Sequence, residues 1–243
     1  MSRFTLSALF FVLLAATQAQ AQQSKYRFGM HFTPNYTWVA PETRLLNNAG
    51  GALGFGYGLM IERAIGNSNY YFSTGLSVNQ LQYRSSIDQA FYKSRQQPSI
   101  DFPKENPLYQ YRVQYFDVPL SMKMRTNQIG AIRIYGQFGL NSSFVIQAKA
   151  RVENFPEVFD PKELFFINKV EDYHPNDQSN FVDDRVNIFR GGILLGAGIE
   201  YLLSGDTHMV VGLRLDNPFT DAYRGDKLDG RTPSLGLQLG IIF

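Results

Sequence analysis

The sequence predicts an all-β fold, an eight-stranded antiparallel up-and-down transmembrane β-barrel with long extracellular loops, on three observations. Apolar residues alternate with glycine, polar or charged ones at a period of two, as in strands with two unlike faces. The links between these segments alternate between short and long. The stripe opposite the apolar one carries the ionic side chains, so apolar residues face out and polar ones face in, as lipid requires.

Residues 1–21 read as an export signal, with Arg3 as its positive head, Leu6 to Ala16 as the apolar stretch and Ala19-Gln20-Ala21 as the cleavage site. The apolar stretch is shorter than the roughly 20 residues of a spanning helix. Cleavage after Ala21 leaves residues 22–243 as the barrel domain. No later run is long and apolar enough for a membrane helix.

The apolar stripes follow in chain order. The first is Tyr26, Phe28, Met30 and Phe32; the second Leu53, Phe55, Tyr57, Leu59 and Ile61; the third Tyr70, Phe72, Leu76 and Val78. The fourth comprises Phe116, Val118, Leu120, Met122 and Met124, and the fifth Ile132, Ile134, Phe138, Leu140, Phe144 and Ile146. The sixth is Phe189, Ile193, Leu195, Ala197, Ile199 and Tyr201, and the seventh Met209, Val211, Leu213 and Leu215. The last is Leu235, Leu237, Leu239, Ile241 and Phe243, against Ser234, Gly236, Gln238 and Gly240 on the other face. In the fourth segment Tyr109, Tyr111 and Val113 are odd-numbered, whereas the apolar residues from Phe116 onward are even-numbered. Either a bulge near Gln114 or Tyr115, or a strand that rises clear of the lipid, accounts for the switch.

Short turns are expected at Gly66-Asn67-Ser68, Thr126-Asn127-Gln128 and Leu203 to Asp206, and long polar links at about 39–51, 85–107, 151–184 and 217–232. Short turns at one end and long loops at the other place both chain ends on the periplasmic side of an outer membrane. Tyr26, Tyr70, Tyr71, Tyr201 and Phe243 are then expected at the periplasmic boundary, and Tyr36, Trp38, Tyr83, Tyr109, Tyr111 and Phe189 at the outer one.

The inward stripes carry Arg27, His31, Glu62, Asp117, Lys123, Arg133, Arg190, Glu200, Arg214 and Asp216. Unpaired buried ions are costly, so these are expected to form an interior polar network, with inward glycines leaving room for the long side chains. Eight strands enclose a space that side chains can fill, which predicts a plugged cylinder rather than an open pore.

Composition removes several function classes. The absence of cysteine excludes thiol nucleophiles, thiolate metal sites and disulfides, and a formal charge of +2 spread along 243 residues gives no footprint for nucleic acid. His31, His174 and His208 are the candidate bases, but no Gly-x-Ser-x-Gly, His-Glu-x-x-His or phosphate-cradling loop accompanies them, so no catalytic residue and no cofactor is assigned. Glu171, Asp172, His174, Asp177, Asp183 and Asp184 share one loop without the spacing of a defined cation site, and solvated loop charges are the default. In the same loop Phe155, Phe159, Leu164, Phe165, Phe166 and Ile167 are expected to fold over the barrel mouth rather than meet a partner. Arg224-Gly225-Asp226 is read as a chance tripeptide.

Over nearly the whole mature chain the residues resemble the PorT-like outer-membrane β-barrel proteins. The landmarks are Arg27-Phe28-Gly29 followed by Pro34-Asn35; Leu53-Gly54-Phe55-Gly56-Tyr57-Gly58-Leu59; Tyr115-Phe116-Asp117-Val118-Pro119-Leu120; and Tyr135-Gly136-Gln137-Phe138-Gly139. Gly196-Ala197-Gly198-Ile199-Glu200-Tyr201 and Asn217-Pro218-Phe219-Thr220-Asp221 complete the order. The resemblance implies an eight-stranded outer-membrane barrel without an assigned activity. Leu239, Ile241 and the final Phe243 also resemble the C-terminal signal read by the barrel-insertion machinery. The expected partners are therefore outer-membrane lipid, that machinery during assembly and an envelope or surface protein at the outer loops. A non-catalytic structural or surface-contact role is the leading expectation. A small-solute channel comes next, and a membrane-embedded enzyme or soluble ligand-binding barrel last.

Overall fold

The computed structural model describes residues 26–44, 46–66, 69–87, 108–153, 179–181, 186–223 and 229–243. The export signal, the loop acids and aromatics between 154 and 178, Asp183, Asp184 and the Arg224-Gly225-Asp226 tripeptide lie outside them.

Eight long strands form the wall: β1 (Tyr26–Thr37), β3 (Leu46–Ala64), β4 (Tyr70–Ile87), β5 (Leu108–Arg125), β6 (Ile132–Glu153), β8 (Phe189–Ser204), β9 (Thr207–Pro218) and β11 (Ser234–Ile242). Three short ones accompany them: β2 (Ala40–Pro41), β7 (Ser179–Phe181) and β10 (Gly230–Arg231). Each long strand pairs antiparallel with its sequence neighbours, β1 pairs with β11, and the ring has no open edge. Closure satisfies every ladder group inside the wall, the condition for crossing hydrocarbon with strands.

The alternation in the sequence is the alternation of the wall. Phe28, Met30, Phe32, Leu53, Leu59, Leu76, Leu120, Ile134, Leu140, Ile193, Leu213, Leu237 and Leu239 all point outward and are exposed, while Glu62, Asp117, Lys123, Arg190, Glu200 and Asp216 are buried inside. Apolar atoms are thus turned away from the molecule's interior on all eight long strands. That is the arrangement lipid stabilises and water does not.

The two ends differ in build. Between β3 and β4 and between β8 and β9 the chain reverses tightly, with Gly66 at φ 66° and Gly205 at φ 55°, left-handed conformations that glycine adopts without a steric penalty. The third reversal lies farther along than the sequence predicts. It sits not at Thr126-Asn127-Gln128 but at a small Ile129–Ile132 bridge around Gly130, φ 63°, because Arg125 and Thr126 remain hydrogen-bonded to Asn69 and Ile134. At the opposite end the links are shorter than predicted. β3 already begins at Leu46, Ala40–Pro41 pairs with Gly230–Arg231, and Ser179–Phe181 pairs with the end of β6.

The largest departure from expectation concerns the aromatic residues of this loop end. Tyr83, Tyr109 and Tyr111 are not on the outer boundary; they point inward and are 0%, 1% and 0% exposed. They pack with Leu81, Val113, Tyr115, Val39, Leu46, Ala148, Ala150, Val186, Ala222 and Tyr223 into one core. Tyr83 stacks on Tyr111 at 5.1 Å, and Tyr223 meets Tyr111 edge-on at 5.5 Å. The cause is strand length. β3 to β6 run for 19, 18, 18 and 22 residues, well beyond the roughly 9–11 that cross a bilayer, so their upper parts close over an ordinary apolar interior. Tyr71, expected at the periplasmic boundary, also leaves it: its ring lies 4.0 Å from the Arg125 guanidinium. Tyr26, Tyr70, Tyr201, Tyr36 and Phe189 do point outward.

The parity switch in β5 has the second of its two expected causes. β5 itself alternates without interruption from Leu108 to Arg125. The bulge is on its partner, where Gln114 pairs with Gln147 and Tyr115 with Val145, leaving Ile146 as the extra residue. Beyond it the faces of β6 exchange: Asn141 and Ser143 are buried below, Ala148 and Ala150 above. Deletion of Ile146 removes only the extra residue and leaves Val145 and Ala148 inward with Gln147 and Lys149 outward, so the variant is expected to keep the pairing with β5 and to refold to the compact, heat-sensitive band on a gel. A deletion variant that fails to refold would show that Ile146 is not the unpaired residue of this ladder.

Candidate functional site

The interior holds two polar layers beneath the aromatic core. The lower one is built where β1, β3, β5 and β8 bring odd and even inward positions to one level near the turns. Lys123 Nζ lies 2.8 Å from Glu62 Oε1 and 2.6 Å from Glu200 Oε1. Arg125 Nε donates to Glu200 Oε1 at 2.9 Å, and its Nη2 pairs with Glu62. Arg27 Nη1 reaches Glu200 at 3.4 Å and Glu62 at 3.7 Å. Three cations thus share two carboxylates. The remaining positive charge faces aromatic rings, with Lys123 4.2 Å from the Tyr135 centroid and Arg125 over Tyr71. Space for Tyr135 comes from two glycines on adjacent strands, since a Cβ at Gly212 or Gly198 would meet its hydroxyl. Gly212→Leu should therefore lower the urea midpoint by the equivalent of about 1–3 kcal/mol through overpacking, a loss that Gly136→Ala, in open space, should not reproduce.

The upper layer is amide-rich. Asp216 accepts from Asn141 Nδ2 at 2.6 Å and pairs with Arg190 Nη1 at 3.3 Å, while Arg190 Nη2 donates to the Thr232 carbonyl at 3.0 Å. Asn79 Nδ2 donates to Asp117 at 3.2 Å and accepts from Asn35 at 3.0 Å. His31 and Arg214 line a small cavity of about 20 Å³ beside Asp216, with His31 Nδ1 3.1 Å from Thr33 Oγ1.

Of the predicted interior residues, the structure gathers Arg27, Glu62, Lys123 and Glu200 into the lower layer and Asp117, Arg190, Asp216, His31 and Arg214 into the upper. Arg133 joins neither; it stands at the turn rim, where its Nη2 donates to Gln128 Oε1 at 2.9 Å. Its register partner is Glu200, but the carboxylate is already taken by buried cations on β5. Arg125 was not among the predicted residues, although it shares the odd parity of Asp117 and Lys123 and so lies on their face. Leu239, Ile241 and Phe243 all project outward at the end of the wall.

Neither described histidine is set up as a base between a carboxylate and a hydroxyl nucleophile. His208 Nδ1 lies 2.9 Å from Arg27 Nη2 and 2.8 Å from the Asp206 carbonyl. Among the described residues no group of three or more His, Asp or Glu side chains is placed to hold a metal ion. His174 and the acidic loop positions are outside the described residues.

At the loop end Tyr223 Oη donates to Ser85 Oγ at 3.3 Å, and burial pushes its phenol well above the usual range. Asp221 is also raised, by desolvation first and then by the neighbouring carboxylates of Asp229 and Glu42. Its ionised form is thus less favoured in the folded chain, so this edge loses some stability as pH rises through the Asp221 pKa.

The closed wall, outward apolar rows and filled polar interior are those of a membrane barrel, and residues 18–224 match the family described as "Outer membrane protein beta-barrel domain". The chain belongs to that family. This outer-membrane barrel is also similar to solved structures at low identity. Neisserial surface protein A is 11% identical, with 90% of this chain and 96% of that one covered and a TM-score of 0.46. Ail, the attachment invasion locus protein of Yersinia pestis, is 12% identical over 90% and 100% of the two chains at a TM-score of 0.33. The outer membrane protein OprG from Pseudomonas aeruginosa is 8% identical over 88% and 94% at 0.39. Comparison with curated proteins finds no match.

Proposed function

We propose that this chain is a non-catalytic outer-membrane barrel of PorT-like type with a structural or surface-contact role, its turns facing the periplasm and its loop end serving as the contact surface. The observation that supports this most strongly is the filled lumen. Ion pairs cross from β5 to β3 and β8, amides and an Arg190–Asp216 pair fill the next level, and stacked tyrosines close the last. An ion entering from either end meets side chains already paired with one another, and opening a path costs several of those pairs at once.

Planar-bilayer recording of the refolded, full-length chain tests the reading. A sealed bilayer is expected. Steady conductance that survives purification would instead make the chain a small-solute channel.

A further inference from the structure

The outward rows of β4, β5 and β6 change chemistry at one level of the wall. Val78, Phe116 and Phe144 stand in register. The next outward row toward the loop end is Gln80, Gln114 and Gln147, with Gln114 Nε2 donating to Gln80 Oε1 at 3.3 Å. Above it come Gln82, Arg112 and Lys149, then Arg84, Gln110 and Arg151. These rows hold four basic residues and no carboxylate. Among the described residues no salt bridge occupies Arg84, Arg112 or Arg151.

Two structural features build this patch. The bulge at Ile146 reverses the faces of β6 and so brings Lys149 and Arg151 outward, with Ala148 and Ala150 behind them. The Tyr83–Tyr111 stack backs β4 and β5 at the same level, so the wall carrying the arginines is held rigid. Gln82, Gln110, Arg112, Lys149 and Arg151 line a surface depression of about 240 Å³. Directly below, Val78 and Phe116 border an apolar groove of about 830 Å³ that continues past Leu76 and Leu59.

The spacing fits one kind of ligand. Arg112 is four residues above Phe116, about 13 Å along the strand and about 10 Å in height once the strand's tilt is allowed for. That is close to the separation between the acyl region of a leaflet and its phosphates. We propose that this face binds the phosphate-bearing anionic lipid of the outer leaflet, an acyl chain lying in the groove and the headgroup phosphate held by Arg112, Arg84 and Arg151. The guanidinium forks match phosphate oxygens in pairs, and the glutamine amides offer hydrogen bonds to headgroup hydroxyls.

The test uses the full-length chain refolded into nanodiscs of phosphatidylcholine, with or without bisphosphorylated lipid A, reading the lipid A that remains bound after transfer to detergent. Nanodiscs present lipid on both faces, so the result does not depend on the orientation proposed above, which labelling of intact cells reads separately. Wild type is expected to retain lipid A selectively. Arg84→Gln, Arg112→Gln and Arg151→Gln should each weaken retention about fivefold, with no change in the heat-sensitive gel band. Arg63→Gln, on the outward face near the turns, should retain it fully. The three single variants are at exposed positions, so they carry the test even if their combination does not fold. Equal retention by wild type and the three variants would overturn the proposal. So would displacement by inorganic polyphosphate at matched phosphate concentration, which marks a site for free polyanions.

Discussion

Glu200→Gln is expected to destabilise the barrel strongly. Glu200 is fully buried and accepts from Lys123 at 2.6 Å and Arg125 at 2.9 Å while facing Arg27 at 3.4 Å. The amide keeps the shape but leaves three buried cations with Glu62 as their single carboxylate. Removing one partner of a buried ion pair costs about 3–5 kcal/mol, since the surviving charge keeps its desolvation penalty. The urea midpoint of the refolded barrel should fall accordingly. Arg133→Gln, which touches only Gln128 at the rim, should leave it nearly unchanged. An unaltered midpoint for Glu200→Gln would mean that the cluster is bathed in water, and the filled-lumen account would go with it.

Leu239→Arg is the second large effect. Leu239 lies in the middle of β11, pairs with Phe32 and Val211, and is 39% exposed on the apolar face. An arginine near the mid-plane of a bilayer costs about 2–4 kcal/mol, so insertion into vesicles should be strongly reduced. Gln238, the preceding residue, faces the lumen, and Gln238→Asn should insert normally. Normal insertion of Leu239→Arg would show the faces of the wall to be reversed.

The wall is legible in the sequence because the period-two signal is strong wherever one face meets lipid. Leu235, Leu237, Leu239 and Ile241 alternate with polar and glycine positions, and a one-residue error would put every one of them inside. The parts that mislead are those where two environments favour the same residue type. Tyr109 and Tyr111 suit a membrane boundary and a packed core equally well, so their identity does not tell which they occupy. The deciding signal is on the other face, where Gln80, Gln114 and Gln147 end the apolar rows and show that the wall has left the lipid. The bulge is hidden because Phe144, Val145 and Ile146 are all apolar, and the change of face becomes visible only in Ala148-Lys149-Ala150-Arg151. Arg125 is missed because it directly precedes a predicted turn, yet backbone bonding carries β5 one residue farther.

Apolar rows that face hydrocarbon around a closed wall with polar contents leave a direct signature along one strand. The chain has no cysteine, so single spin labels can be placed along β11 at Leu237→Cys, Gln238→Cys, Leu239→Cys and Gly240→Cys without background. Their accessibility to oxygen, which partitions into lipid, and to a water-soluble nickel chelate should be measured in vesicles. High oxygen access is expected at positions 237 and 239, and protection from both reagents at 238 and 240. Oxygen access at 238 and 240, or no alternation along the strand, would mean that the apolar rows do not face lipid.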